Sequence, residues 1–316
     1  MLRPIALGLW MIVVLPVSAP ALPQANDCFH RTMTIYVKDS QGRPIGGLAA
    51  GDFEAHFRGK PVKILSAIPD GRPHRVVILL DASASMAFRW EEPLHLALHI
   101  VRTLPESTLV ALLVFDTKIK RQIGFSAGRK ALETELRGME FDRNEIDKKV
   151  RGKTALYDAL LSAIRLLVSP TNSDILYVIT DAGDNSSRAM PKDVAKALTT
   201  SGVHLFMSLV FSSPFAPSRS EQLVGALDSN DLIHKVGGEF VTPYVNFPFD
   251  PKNQQVFEAS LRTFDLSLVD DYLLEVELPE SVRKYEDWTL KLSKEKREKW
   301  KNARLLYAKE LTPCEP

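Results

Sequence analysis

The sequence predicts an α/β protein: a doubly wound, mostly parallel sheet inserted in a small β-sandwich built from both chain ends. Three observations carry this. Val76 to Leu80 is an uninterrupted apolar run, as in a strand buried on both faces of a sheet. From about residue 74 to 262 such runs alternate with helical spacings, the pattern of a parallel sheet covered by helices. Near both ends, apolar and polar residues alternate at period two, as in Met33–Lys38 and Trp288–Leu292.

The chain has 316 residues, 45% of them hydrophobic, which suffices for a core; its net charge of +1 points to neither nucleic acid nor an anionic membrane as a partner. Residues 1–21 combine Arg3, an apolar run to Leu15 and Ala19-Pro-Ala21, the layout of a cleaved signal peptide. An uncleaved anchor is the alternative, but the run is short for a span and Pro16 interrupts it. No later segment is apolar enough to cross a membrane, so the expectation is an exported protein, periplasmic or extracellular, without a span after cleavage.

Residues 28–70 read as the first half of the β-domain: Met33–Lys38, a turn from Asp39 to Pro44, Ile45–Leu48, Asp52–Phe57, a turn at Arg58-Gly59-Lys60, and Val62–Leu65. So few strands cannot bury a face by themselves. Their partners are expected in 270–316, as Asp271–Leu278, Trp288–Leu292 and Ala303–Tyr307, while the charged run Lys291–Lys301 reads as a solvated hairpin or edge. Cys28 and Cys314 lie near the two ends and, in an exported protein, form one disulfide; two free thiols are the alternative.

Residues 74–266 supply the α/β part. After the strand ending at Asp81 comes a helix, Glu91–Leu104, with Leu94, Leu98 and Val101 on one face, then a strand, Leu109–Phe115. Ile119–Ile123 is an edge strand guarded by Lys120 and Arg121. A helix at Arg129–Met139, a charged loop at 142–151, a helix at Ala155–Val168 and a strand at Ile175–Thr180 follow. Pro191 opens a helix to Thr200, Val203–Phe211 is a strand, and Ser218–Gly237 is helical in part. Gly238–Thr242 is the last strand and Gln254–Leu266 the last helix.

The chemistry gathers where the first buried strand stops. Asp81 is followed at every second position by Ser83 and Ser85, one carboxylate and two hydroxyls at the end of a parallel strand, where such sheets bind ligands. These are hard oxygen donors, suited to Mg²⁺, Mn²⁺ or Ca²⁺. Asp81-Ala-Ser83-Ala-Ser85 resembles the D-x-S-x-S signature of von Willebrand factor type A domains, whose metal-ion-dependent adhesion site takes a further Thr and Asp from distant loops. Thr154, before a helical pattern, and Asp181, at the end of an apolar strand, stand at the matching places. The resemblance implies a Mg²⁺ site (Mn²⁺ or Ca²⁺ possible) made by Asp81, Ser83, Ser85, Thr154 and Asp181. The open coordination position would be filled by an Asp or Glu of a protein partner. Asp184 and Asn185 are possible rim residues; Asp116, at a strand end, either supports the ligands or is a plain turn residue, and Asp158, four residues after Thr154 on the same helix side, is a weaker supporting candidate. Asp39–Leu48 and Asp52-Phe53-Glu54 resemble a β-domain that precedes the type A domain in a group of bacterial exported proteins.

The function expected is metal-dependent binding of a protein. The alternative is a structural envelope protein whose metal only stabilises and whose β-domain binds the partner. A metal-assisted hydrolase is less well supported: the chain has no phosphate-binding glycine loop and no H-E-x-x-H, and His95 with His99 lacks a third ligand. No catalytic residue is assigned.

Overall fold

The computed structural model describes residues 28–141, 153–210, 220–241 and 268–314. The expected leader, the loop at 142–151 and the helix at 254–266 lie outside these residues. Among the described residues the strands form two sheets.

The α/β sheet has the order β6 (Ile119–Ile123), β5 (Leu109–Phe115), β4 (Arg75–Asp81), β7 (Asp174–Thr180), β8 (His204–Leu209), β9 (Glu239–Phe240). All pairs are parallel except β5 with the edge strand β6. The period-two geometry of a strand explains how one apolar run serves two cores. Val76, Ile78 and Leu80 face α1 (Glu91–Thr103) and α2 (Arg129–Phe141). Val77 and Leu79 face α3 (Leu156–Leu166), α4 (Pro191–Ser201) and α5 (Ser220–Val236).

The entry to this sheet is tied by one side chain. Arg75 reaches both carboxylate oxygens of the buried Asp174, at 2.8 and 2.6 Å, across the β4–β7 pair. The same guanidinium donates to the carbonyls of Leu167, Val168 and Ser169, where α3 ends. Val168 and Ser169 sit there at φ 30° and 54°, a region that costs a β-branched residue energy.

The second sheet is antiparallel and comes from both chain ends, in the order β12 (Arg304–Leu306), β1 (His30–Lys38), β10 (Tyr272–Glu277), β3 (Lys60–Pro69), β2 (Phe53–Phe57), β11 (Glu286–Leu292), β13 (Glu310–Leu311). The returning strand β10 lies between β1 and β3, as the shortage of partners required. The expected sandwich takes the form of one rolled sheet. Its edge strands β12 and β13 are joined by residues 307–309 alone, a reach of about 14 Å, whereas seven strands laid flat span about 29 Å. Rolling puts strands from the whole width of the sheet around one core, and Tyr307 reaches across to stack on Trp288 at 5.4 Å.

Three local readings are corrected. Residues 45–48 are not a strand; they cross the end of the rolled sheet, held by the Tyr272 hydroxyl, which donates to the Ile45 carbonyl and accepts from the Leu48 amide. The charged run is no hairpin or edge: after Leu292 it forms a short exposed helix, α6 (Lys294–Lys299), of good helix formers. The strand after Gly238 is only two residues long.

The rolled sheet packs against the end of the α/β sheet where β4, β7 and β8 begin. Tyr36 stacks edge-on against His204 and Phe206, Asn172 donates to the Thr32 carbonyl, and Lys38 and Arg304 both pair with Glu239. At Gly238 a Cβ would lie 1.6 Å from the Leu205 carbonyl oxygen, so only glycine permits this approach. Cys28 and Cys314 are bonded, with Cα atoms 5.4 Å apart. Reducing the bridge, or Cys28→Ser with Cys314→Ser, is expected to cost about 2–5 kcal/mol, read as a lower denaturation midpoint; an unchanged midpoint would refute it. Among the described residues no helix is long and apolar enough to cross a membrane.

Candidate functional site

At the opposite end of the α/β sheet, about 20 Å along β4, three chain segments meet. β4 ends in Asp81 and turns into a 3-10 segment at Ala84–Arg89; residues 153–155 lead into α3; β7 ends before Asp181. Backbone bonds tie the segments together. Ala82 N donates to Phe115 O, Ala155 N to Asp116 O, and the amides of Asn185 and Ser186 both donate to Thr154 O.

Asp81 is wholly buried. One carboxylate oxygen accepts from the Ser83 amide at 2.8 Å and the other from the Thr180 hydroxyl at 2.6 Å, both neutral donors. Burial, and after it the charge of Asp181, pushes the Asp81 carboxyl up to about 7. Ser83 and Ser85 face each other with their hydroxyl oxygens 2.9 Å apart. Asp181, also buried, accepts from the Gly183 amide at 3.0 Å. Asp81, Ser83, Ser85 and Asp181 are thus brought together. Thr154 is buried in the adjoining segment, its amide held by the Asn185 side-chain oxygen at 3.0 Å.

The two rim residues turn out to hold the frame. Asp184 accepts from the Tyr157 amide, at the start of α3, and from the amide and hydroxyl of Ser187. Asn185 fixes Thr154. Asp158 accepts from the amides of Arg188 and Ala189, and Asp116 closes its own turn and pairs with Lys120 at 3.0 Å. These acids satisfy free amides of the surrounding turns. Sequence reasoning passed over two residues. Thr180 bonds Asp81 and also accepts from the Ala182 amide, pinning the turn that carries Asp181; its place just before Asp181 was the available signal. Gly225 of α5 backs that turn so closely that a Cβ would lie 1.8 Å from the Ala182 carbonyl oxygen, and Ala182 itself has φ 63°. Nothing in the sequence marks that approach.

The donor set suits a hard divalent cation: two buried carboxylates, one held partly protonated near neutral pH, next to hydroxyl oxygens. Among the described residues no three His, Cys, Asp or Glu side chains converge as a metal-binding group.

Residues 76–184 match the von Willebrand factor type A domain family. Among solved structures the chain is similar to a von Willebrand factor type A protein from Catenulispora acidiphila, at 14% identity and TM-score 0.41 over 92% of this chain and 76% of that one. It is similar to an aerotolerance-related membrane protein from Bacteroides fragilis, at 16% identity and TM-score 0.41 over 59% and 98%. It is also similar to proximal thread matrix protein 1 from the mussel byssus, at 18% identity and TM-score 0.42 over 63% and 48%. No match was found among curated proteins.

Proposed function

We propose that, with a von Willebrand factor type A domain over residues 76–184 as its premise, the chain is an exported, divalent-cation-dependent binding module. Its ligand is a protein presenting an Asp or Glu side chain, and it binds without catalysing. The observation that carries this is the buried pair Asp81 and Asp181 beside the facing hydroxyls of Ser83 and Ser85. Asp81, Ser83, Ser85, Thr154 and Asp181 would hold the cation, with Mg²⁺ preferred over Mn²⁺ or Ca²⁺. When bound, the cation supplies positive charge to both carboxylates and a coordination position for the ligand's carboxylate. Thr180, Asp184 and Asn185 orient the three segments, and Gly225 fixes the Asp181 turn from behind. The rolled sheet packs at the far end of the strands, away from this face. Export rests on the leader-like residues 1–21 and on the disulfide, which favours an oxidising compartment.

The test is calorimetric titration of Mg²⁺, Mn²⁺ and Ca²⁺ into chelator-stripped protein, with Asp81→Ala beside it. Saturable binding that the variant loses supports the reading; equal binding by both proteins, or none by either, sinks it. A second reading, in which the cation only stabilises and the rolled sheet binds the partner, is favoured by the exposed apolar side chains Leu65 and Ile68 on β3. Under that reading a folded Asp81→Ala captures the partner as well as wild type does.

A further inference from the structure

Two connections join the sheets: residues 70–74 lead from β3 into β4, and 270–271 lead back into β10. They cross at the sheet interface, where the Asp70 amide donates to the Asp271 carbonyl at 2.9 Å. Beside that bond, His74 Nε2 lies 3.4 Å from a carboxylate oxygen of Asp271, with side-chain exposures of 5% and 0%. Neither carboxylate oxygen of Asp271 has a hydrogen-bond partner, nor has His74 Nε2.

The tautomer follows from the other ring nitrogen. His74 Nδ1 lies 2.9 Å from the Ser173 carbonyl, which only accepts, so Nδ1 carries a hydrogen. Nε2 then has either a lone pair or a second proton. With no proton between them, a lone pair would face a buried, unsolvated carboxylate, which is repulsive and costly. With one proton, on Nε2 or on the carboxylate, the contact is attractive. We propose that His74 and Asp271 form a proton-held latch between the α/β sheet and the rolled sheet, closed while the pair carries one proton and released when rising pH removes it.

The surrounding groups leave this role to the pair. Arg72 is engaged by Asp70, Asn172 and Thr34. Asp174 is held by Arg75 and the Thr171 amide. His204, at the start of β8, is kept neutral by burial, with its value lowered to about 4. Burial and then the charges of Asp271 and Asp70 raise the Tyr36 phenol, and its hydroxyl faces the Leu268 carbonyl at 3.4 Å. Asp270 is exposed. Burial raises the Asp271 carboxyl; burial is also the largest single effect on His74 and would lower it, but Asp271, the Ser173 carbonyl and Asp70 together outweigh it and raise the imidazole. Both groups therefore bind the proton more tightly when folded. The latch contributes fully below the unfolded histidine value of about 6.5 and is lost as pH rises through the folded value.

The test uses the disulfide-bonded chain and Asp271→Asn, whose amide can donate to neutral Nε2 without an extra proton. In wild type the His74 ring resonance, assigned by its loss in His74→Gln, titrates with a midpoint above 6.5; in Asp271→Asn the midpoint falls below that. Calorimetric unfolding near pH 7.5 in buffers of differing ionisation enthalpy shows wild type releasing up to about one proton more than the variant. Protection of the Asp70 amide, corrected for intrinsic exchange, falls between pH 6 and 9 in wild type and stays level in the variant. A wild-type midpoint at or below 6.5 overturns the proposal even if the variant does not fold. So does equal proton release by the two proteins, or the same pH dependence of Asp70 protection.

Discussion

In chelator-treated protein, Asp81→Asn raises the thermal midpoint although it removes a proposed cation ligand. Asp81 is fully buried, and its carboxyl is pushed up to about 7 by burial and by Asp181. A carboxyl whose folded value exceeds its unfolded value weakens the fold above the unfolded value. The penalty is absent below about pH 4 and grows until the folded value is passed. Above pH 7 it amounts to about 2–4 kcal/mol, which Asn escapes: its Oδ1 still accepts from the Ser83 amide, and its Nδ2 donates to the Thr180 hydroxyl oxygen in a bond of reversed direction. Saturating Mg²⁺ reverses the order, because only wild type gains about 3 kcal/mol from a cation at a hundred times its dissociation constant. Melting curves from pH 4 to 8, with chelator and with Mg²⁺, read both effects. A variant less stable than wild type at pH 8 in chelator would show that Asp81 does not carry this strain.

Arg75→Met is expected to be the most damaging single change away from the site, at about 3–5 kcal/mol. It leaves the Asp174 carboxylate, with 1% side-chain exposure, without its cation. It also strips a donor from three carbonyls at the end of α3, where Val168 and Ser169 hold left-handed backbone. Arg75→Lys recovers only part, because one ammonium cannot match the two-pronged contact with Asp174. Chemical denaturation of the three proteins checks the order; a loss below about 1 kcal/mol for Met would mean that solvent replaces the guanidinium.

The doubly wound sheet was legible because β4, β5 and β7 are apolar on both faces, and no other placement buries such runs. The insertion was legible from a deficit: strands at the N-terminal end with nothing to pair with. The roll was not legible. Period two tells which face of a strand is buried, but closure depends on three residues, 307–309, reaching from one edge to the other. The site divides in the same way. Asp81, Ser83 and Ser85 lie on one turn and announce themselves by spacing. Asp184 and Asn185 are near in sequence, yet their oxygens turn toward the free amides at the start of α3, and spacing carries no direction. His74 and Asp271 meet only because the two connections cross, and neither residue stands out in its own segment.

The bond between Cys28 and Cys314 has a mechanical meaning for an inserted domain. Tension pulling on the two chain termini passes from one sulfur to the other and bypasses everything between them, so the α/β unit is never stretched from its ends. A load arriving instead at the Asp81 face travels down β4 and its neighbours to the connections at 70–74 and 270–271. There it divides between two anchor points on one rolled sheet, so a tug on that face is shared by two tethers, and neither must bear it alone.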